Sequence, residues 1–72
     1  MYVQSAHHDE PLVVSPRRAQ QMLDIGHSRL YELLSAGELQ SFKDGKSRKI
    51  LVASIRDYVA RKLTANQAAL SR

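Results

Sequence analysis

Four cations crowd into seven residues of this chain: Lys43, Lys46, Arg48 and Lys49, interrupted only by Asp44, Gly45 and Ser47. Ammonium and guanidinium groups at that density make a surface for phosphates. Each phosphate they neutralise releases counterions, so binding through them falls steeply with salt. Lysines on a strand edge also block edge-to-edge aggregation, a role that accounts comfortably for one or two of these cations and less so for four. A second group lies upstream. The guanidinium of Arg29 can pair bidentately with guanine O6 and N7, and Ser28 can bond a base or a phosphate. His27 stands near a helix start, where backbone N–H groups and the positive end of the dipole favour an anion. Glu32 is repelled by phosphate; it either accepts from a cytosine amino group or ties Arg29 in place from the next turn, and the second role is the favoured one.

The elements that must present these groups follow from local signals. Ser15-Pro16 opens a first helix, because Ser caps well and Pro is pre-organised for the first helical position. Its stripe is Ala19, Met22 and Leu23, joined by Ile25, with Arg17, Arg18, Gln20 and Gln21 left for solvent or phosphate. Asp24-Ile25-Gly26 breaks the pattern, and a second helix runs from His27 to Ala36 until Gly37 stops it. Leu30, Leu33 and Leu34 form its buried stripe, which turns Ser28, Glu32 and Ser35 outward with Arg29 and Tyr31 on the flanks. Strands at Gln40–Lys43 and Lys46–Ile50 surround a turn at Asp44-Gly45. A third helix carries Val52, Ile55, Val59 and Leu63, widened by Tyr58, and Phe42 and Ile50 complete the core from the hairpin. The predicted fold is mainly α with a small β-hairpin: a winged helix-turn-helix of three helices and a two-stranded wing. In that layout the N-terminal residues of the second helix touch base edges in the major groove of double-stranded DNA.

Length and composition bound this reading. Seventy-two residues, 43% hydrophobic and 25% charged, make one small globular domain, and no Cys is present to staple it. The net charge is +4, and all 11 Lys and Arg lie from Arg17 onward, while Asp9 and Glu10 are the only charges before it. Residues 1–10 read as a flexible polar arm, 11–63 as the DNA-binding domain, and 64–72 as a helix extension or a tail. No apolar run approaches the roughly 20 residues that span a bilayer, and no signal pattern opens the chain. A cytoplasmic, nucleoid-associated protein without membrane contact is expected.

The run Leu23-Asp24-Ile25-Gly26-His27-Ser28-Arg29-Leu30-Tyr31-Glu32-Leu33-Leu34, the step Gly37-Glu38-Leu39 and the basic hairpin Ser41–Ile50 occur here in one order. Together they resemble the excisionase-type helix-turn-helix domain, a MerR-like winged helix, over about residues 12–63. The resemblance implies a small DNA-binding protein without catalytic activity, of the kind that acts in DNA recombination. Excisionases, or recombination directionality factors, bind beside attachment sites in several copies, bend the DNA and bias an integrase toward excision of a mobile element. It places His27, Ser28, Arg29 and Tyr31 on the recognition helix, Lys43, Lys46, Ser47, Arg48 and Lys49 on the wing, and Arg17 at a phosphate. Relatives often carry an aliphatic residue in place of Asp44, Pro in place of Leu51 and an acid in place of Arg18.

The partners expected are therefore double-stranded DNA, further copies of the chain assembled cooperatively on adjacent sites, and an integrase. A promoter-bound transcription regulator of the same fold is the alternative, and an adaptor that docks proteins without specific DNA contact is the third reading. No enzyme is expected, because Gly-rich phosphate loops, paired-carboxylate constellations and nucleophile motifs are all missing from the sequence. No cofactor or metal is expected either: His7, His8 and His27 lack a matching distal ligand pair.

Overall fold

A computed structural model describes residues 11–70. In chain order the elements are β1 (Val13–Val14), α1 (Pro16–Leu23), α2 (His27–Ser35), β2 (Ser41–Asp44), β3 (Ser47–Leu51) and α3 (Val52–Leu70).

Local chemistry sets the helix ends. Ser15 is extended (φ −69°, ψ 161°), and its Oγ accepts from the Arg18 N–H at 3.1 Å while Pro16 occupies the first turn. Both short helices then close in the same way. Asp24 sits in the left-handed region (φ 56°, ψ 49°). Its N–H bonds Gln21 O at 3.3 Å and the next N–H, of Ile25, bonds Gln20 O at 3.0 Å. Gly37 (φ 79°) repeats the pattern, with its own N–H to Leu34 O at 3.2 Å and Glu38 N–H to Leu33 O at 2.9 Å. These are Schellman closures, in which the residue past the helix end satisfies orphan carbonyls. Ser15→Ala removes one cap; the expected cost is about 1 kcal/mol. That corresponds to a fall in Tm of about 4–8 °C for a domain this small, read by thermal circular dichroism.

The hairpin forms one residue later than the Asp44-Gly45 signal implies. Asp44 pairs with Ser47, so the two-residue turn is Gly45-Lys46 and the strands shift with it. Gly45 has φ 66°, and it is the first of the two central residues, as in a II′ turn. A turn centred on Asp44-Gly45 as type I′ would instead need positive φ at both. The sheet is also larger than expected. β1 pairs antiparallel with β3 (Val13 with Leu51, Val14 with Ile50), giving a three-stranded order β1-β3-β2. Two residues are too few to show alternation, so only this pairing defines β1.

Strand alternation separates the two faces of the sheet. Val14, Ile50 and Ser41 are cross-strand neighbours on the inner face, whereas Phe42 pairs with Lys49 on the other. Phe42 is accordingly 46% exposed and Ile50 fully buried. The expectation that both complete one core is thus corrected. Any two-residue turn here pairs odd with even positions, which leaves Phe42 on the face opposite Ile50.

The core consists of Val14, Ala19, Leu30, Leu33, Leu39, Ile50, Val52 and Ile55, with Leu23, Ile25, Tyr31, Leu34 and Tyr58 packed at its edge. In α1 the covered arc is Pro16, Ala19, Gln20 and Leu23, so Met22, expected in the buried stripe, falls outside it and is exposed. The stripe of α3 is likewise buried only in its first two turns. Val59 and Leu63 are exposed, because the core ends at Tyr58 while the helix runs on to Leu70. The buried Ser54 hydroxyl joins α3 to the base of the hairpin: it accepts from Gln40 N–H at 3.0 Å and donates to Leu51 O at 2.7 Å. Among the described residues no helix is long and apolar enough to cross a membrane. Two short helices joined by a tight turn, a hairpin and a packed third helix make a winged helix-turn-helix.

Candidate nucleic-acid interface

Burial of Leu30 and Leu33 decides which way α2 faces. At about 100° per residue, Ser28, Glu32 and Ser35 must form the opposite ridge, and all three are exposed. His27, Ser28, Tyr31, Glu32, Ser35 and Ala36 line a shallow open depression along that ridge. The His27 and Tyr31 rings stand 4.6 Å apart at 34°, walling one side. Tyr31 is half-buried and leans on the core, so its ring is fixed by packing. Gly26 precedes the helix in extended conformation and offers no side chain to cap it. The first amides of α2 thus remain available to an anion.

Arg29 takes the other flank. Its Nη1 donates to Glu32 Oε1 at 3.1 Å, an i,i+3 pair with both side chains half-exposed or more. This is the arrangement favoured from the spacing. Glu32, and after it the phenol of Tyr58 on α3, push the guanidinium pKa up and so favour its charged form. An exposed pair of this kind adds little to stability; what it does is orient the guanidinium. Helical spacing within α2 predicts the influence of Glu32, but not that of Tyr58, which belongs to another helix.

The hairpin distributes its cations over two faces. Lys43 and Arg48 are directly opposite each other, Lys49 lies across from Phe42, and Lys46 occupies the turn. Lys43, Lys46 and Ser47 are exposed; Arg48 and Lys49 are half-buried. Arg48 Nη1 donates to Ser41 Oγ at 2.8 Å, which fixes its fork along the inner face. Like charges directly opposite are destabilising in a strand pair, so the Lys43 and Arg48 placement is one that an anionic partner would relieve.

On α1, Arg17 and Arg18 are exposed, and Arg18 Nη1 donates to Gln21 Oε1 at 3.2 Å. Arg61 reaches back from α3. Its Nη2 donates to Glu38 O at 3.0 Å and to Glu38 Oε1 at 2.9 Å, tying the third helix to the segment after α2. His7 and His8 lie outside the described residues. The structure thus brings His27, Ser28, Tyr31 and Glu32 together, sets Arg29 beside them paired with Glu32, and carries the other predicted cations on the hairpin and α1.

Comparison with known proteins gives one family. Residues 13–63 match the family described as Helix-turn-helix domain, a span that includes α1, α2, the whole sheet and the first part of α3. No curated protein and no solved structure matches the chain. The match takes in both helices of the motif and the wing, and with it this chain belongs to the helix-turn-helix domain family of DNA-binding proteins.

Proposed function

We propose that the protein binds double-stranded DNA sequence-specifically as an excisionase, a recombination directionality factor. In this reading α2 enters the major groove and Arg29 reads a guanine, while Glu32 holds Arg29 in place. Ser28 bonds a base or phosphate, and His27 and the uncapped amides of α2 meet a phosphate. Lys43, Lys46, Ser47, Arg48 and Lys49 follow the backbone beside the groove, and Arg17 and Arg18 hold a further phosphate. The observation that carries the reading is the polar ridge Ser28, Glu32 and Ser35, set opposite buried Leu30 and Leu33 and flanked by Arg29. A nine-residue helix offers few base contacts, so one copy binds weakly and tight binding arises from several copies on adjacent sites. Copies assembled in this way bend the DNA and favour integrase-mediated excision.

The test is affinity selection of source-genome DNA with the purified protein, followed by sequencing. Enrichment of tandem sites beside an integrase attachment site supports the excisionase. Enrichment over a promoter makes the protein a transcription regulator, and no enrichment at any salt leaves the adaptor. Within the selected site, Arg29→Ala is expected to lose about tenfold to a hundredfold of discrimination at one base pair. The salt slope should fall by no more than about 1, as measured by fluorescence anisotropy on single-substitution duplexes.

A further inference from the structure

Residues 36–40 join α2 to β2 and are the direct chain link between the polar ridge and the wing. Gly37 turns this connector in the left-handed region (φ 79°), and each of the three residues that follow is held. Arg61 Nη2, on α3, donates to Glu38 O at 3.0 Å and to Glu38 Oε1 at 2.9 Å. Leu39 is buried in the core. Ser54 Oγ, also on α3, accepts from Gln40 N–H at 3.0 Å. Ser54 and Arg61 are two helical turns apart, so one face of α3 holds both ends of the connector. The two ends differ in kind. Ser54 is buried, whereas the Arg61 and Glu38 side chains are 53% and 44% exposed. An exposed ion pair adds little to stability. A guanidinium nitrogen shared between the carbonyl and the carboxylate of one residue instead fixes where that residue lies against α3.

We propose that Arg61 is a positioning residue for DNA binding: by pinning Glu38 it fixes the connector, and with it the angle between α2 and the wing. This rests on the reading of α2 and the wing as the two DNA contacts. Once α2 has docked, a wing on a pinned connector meets the phosphates at high effective concentration, and little ordering is left for the binding step. Arg61 acts in this way without touching the DNA.

Two substitutions separate this role from a charge effect. Arg61→Gln removes a cation and Glu38→Ala removes an anion, yet both loosen the tie, the second only in part because Glu38 O remains. Wild type, R61Q and E38A are titrated against the duplex enriched in the selection, at low salt where the weakest variant still binds. A variant with Lys43, Lys46, Arg48 and Lys49 all changed to Gln is titrated alone and combined with R61Q. R61Q is expected to weaken binding about two- to fivefold, the range an exposed pair spans, and E38A by less in the same direction. R61Q should cost nothing further once the wing cations are gone, because no wing contact is left to align. An equal loss from R61Q in both backgrounds overturns the proposal, since a merely structural role or a direct phosphate contact gives that result. Tighter binding by E38A also overturns it, as the mark of charge alone. A separate readout needs no DNA: ¹⁵N relaxation of the Glu38, Leu39 and Gln40 amides should give order parameters of about 0.85 in wild type and lower values in R61Q. Equal order in the two proteins overturns the proposal. If wild type binds no duplex at any salt, the DNA-binding reading fails and this inference with it. If wild type binds and R61Q binds equally well, only the role of Arg61 fails.

Discussion

Replacing Leu30 by alanine is expected to remove about half of the domain's stability at 25 °C. Leu30 is fully buried at the centre of α2, in a core of eight buried apolar residues among those described. Truncating a leucine in such a site costs about 2–5 kcal/mol, because the transfer free energy is lost and the cavity collapses only in part. A domain of about 60 residues has a total stability of about 3–9 kcal/mol. The chain has no Cys, so no disulfide offsets the loss. Urea unfolding followed by circular dichroism measures the effect, with Phe42→Ala as the comparison. Phe42 is 46% exposed on the outer sheet face, and its removal is expected to change stability by no more than about 0.5 kcal/mol. A collapse of Phe42→Ala alongside a stable Leu30→Ala would invert the assignment of the sheet faces.

The second large effect concerns binding. Changing Lys43, Lys46, Arg48 and Lys49 together to Gln is expected to reduce affinity for duplex DNA by about a hundredfold to a thousandfold near physiological salt. The slope of log K against log salt should fall by about 3–4, close to 0.9 for each phosphate no longer neutralised. The fold should survive, since none of the four is in the core and relief of the Lys43 and Arg48 opposition favours the hairpin. Anisotropy titrations at several salt concentrations give both numbers. An unchanged slope combined with aggregation of the variant would assign the cations to protection of the strand edge instead.

These two expectations draw on different levels of structure. The leucine stripe of α2 is legible in the sequence because helical spacing places Leu30 and Leu33 on one side whatever lies beyond them. The same logic orients Ser28, Glu32 and Ser35 and makes Arg29 and Glu32 neighbours, since residues three apart on a helix meet without help from the rest of the fold. Helix ends are legible for a similar reason. Ser15-Pro16 and Gly37 act through their own backbone preferences, and the structure uses each as the local chemistry requires.

What depends on partners distant in sequence is not legible in this way. A Gly in a short turn accepts either central position, so the choice of Gly45-Lys46 rests on which pairing the rest of the sheet accepts. That pairing seats Val13 and Val14 beside Leu51 and Ile50, and β1 has no pattern of its own to reveal it. The periodicity of α3 points Val52, Ile55, Val59 and Leu63 along one stripe but cannot say how far the core extends, and Val59 and Leu63 outrun it. Arg61 on Glu38 is likewise a consequence of where α3 crosses the rest of the chain. The order of residues was enough for the helices, their ends and the outward face of α2, because those follow from backbone preference and spacing within a few residues. The register of the wing, the limit of the core and the tie from Arg61 to Glu38 had to wait for the folded chain, because each is a contact between segments whose relative placement no local rule contains.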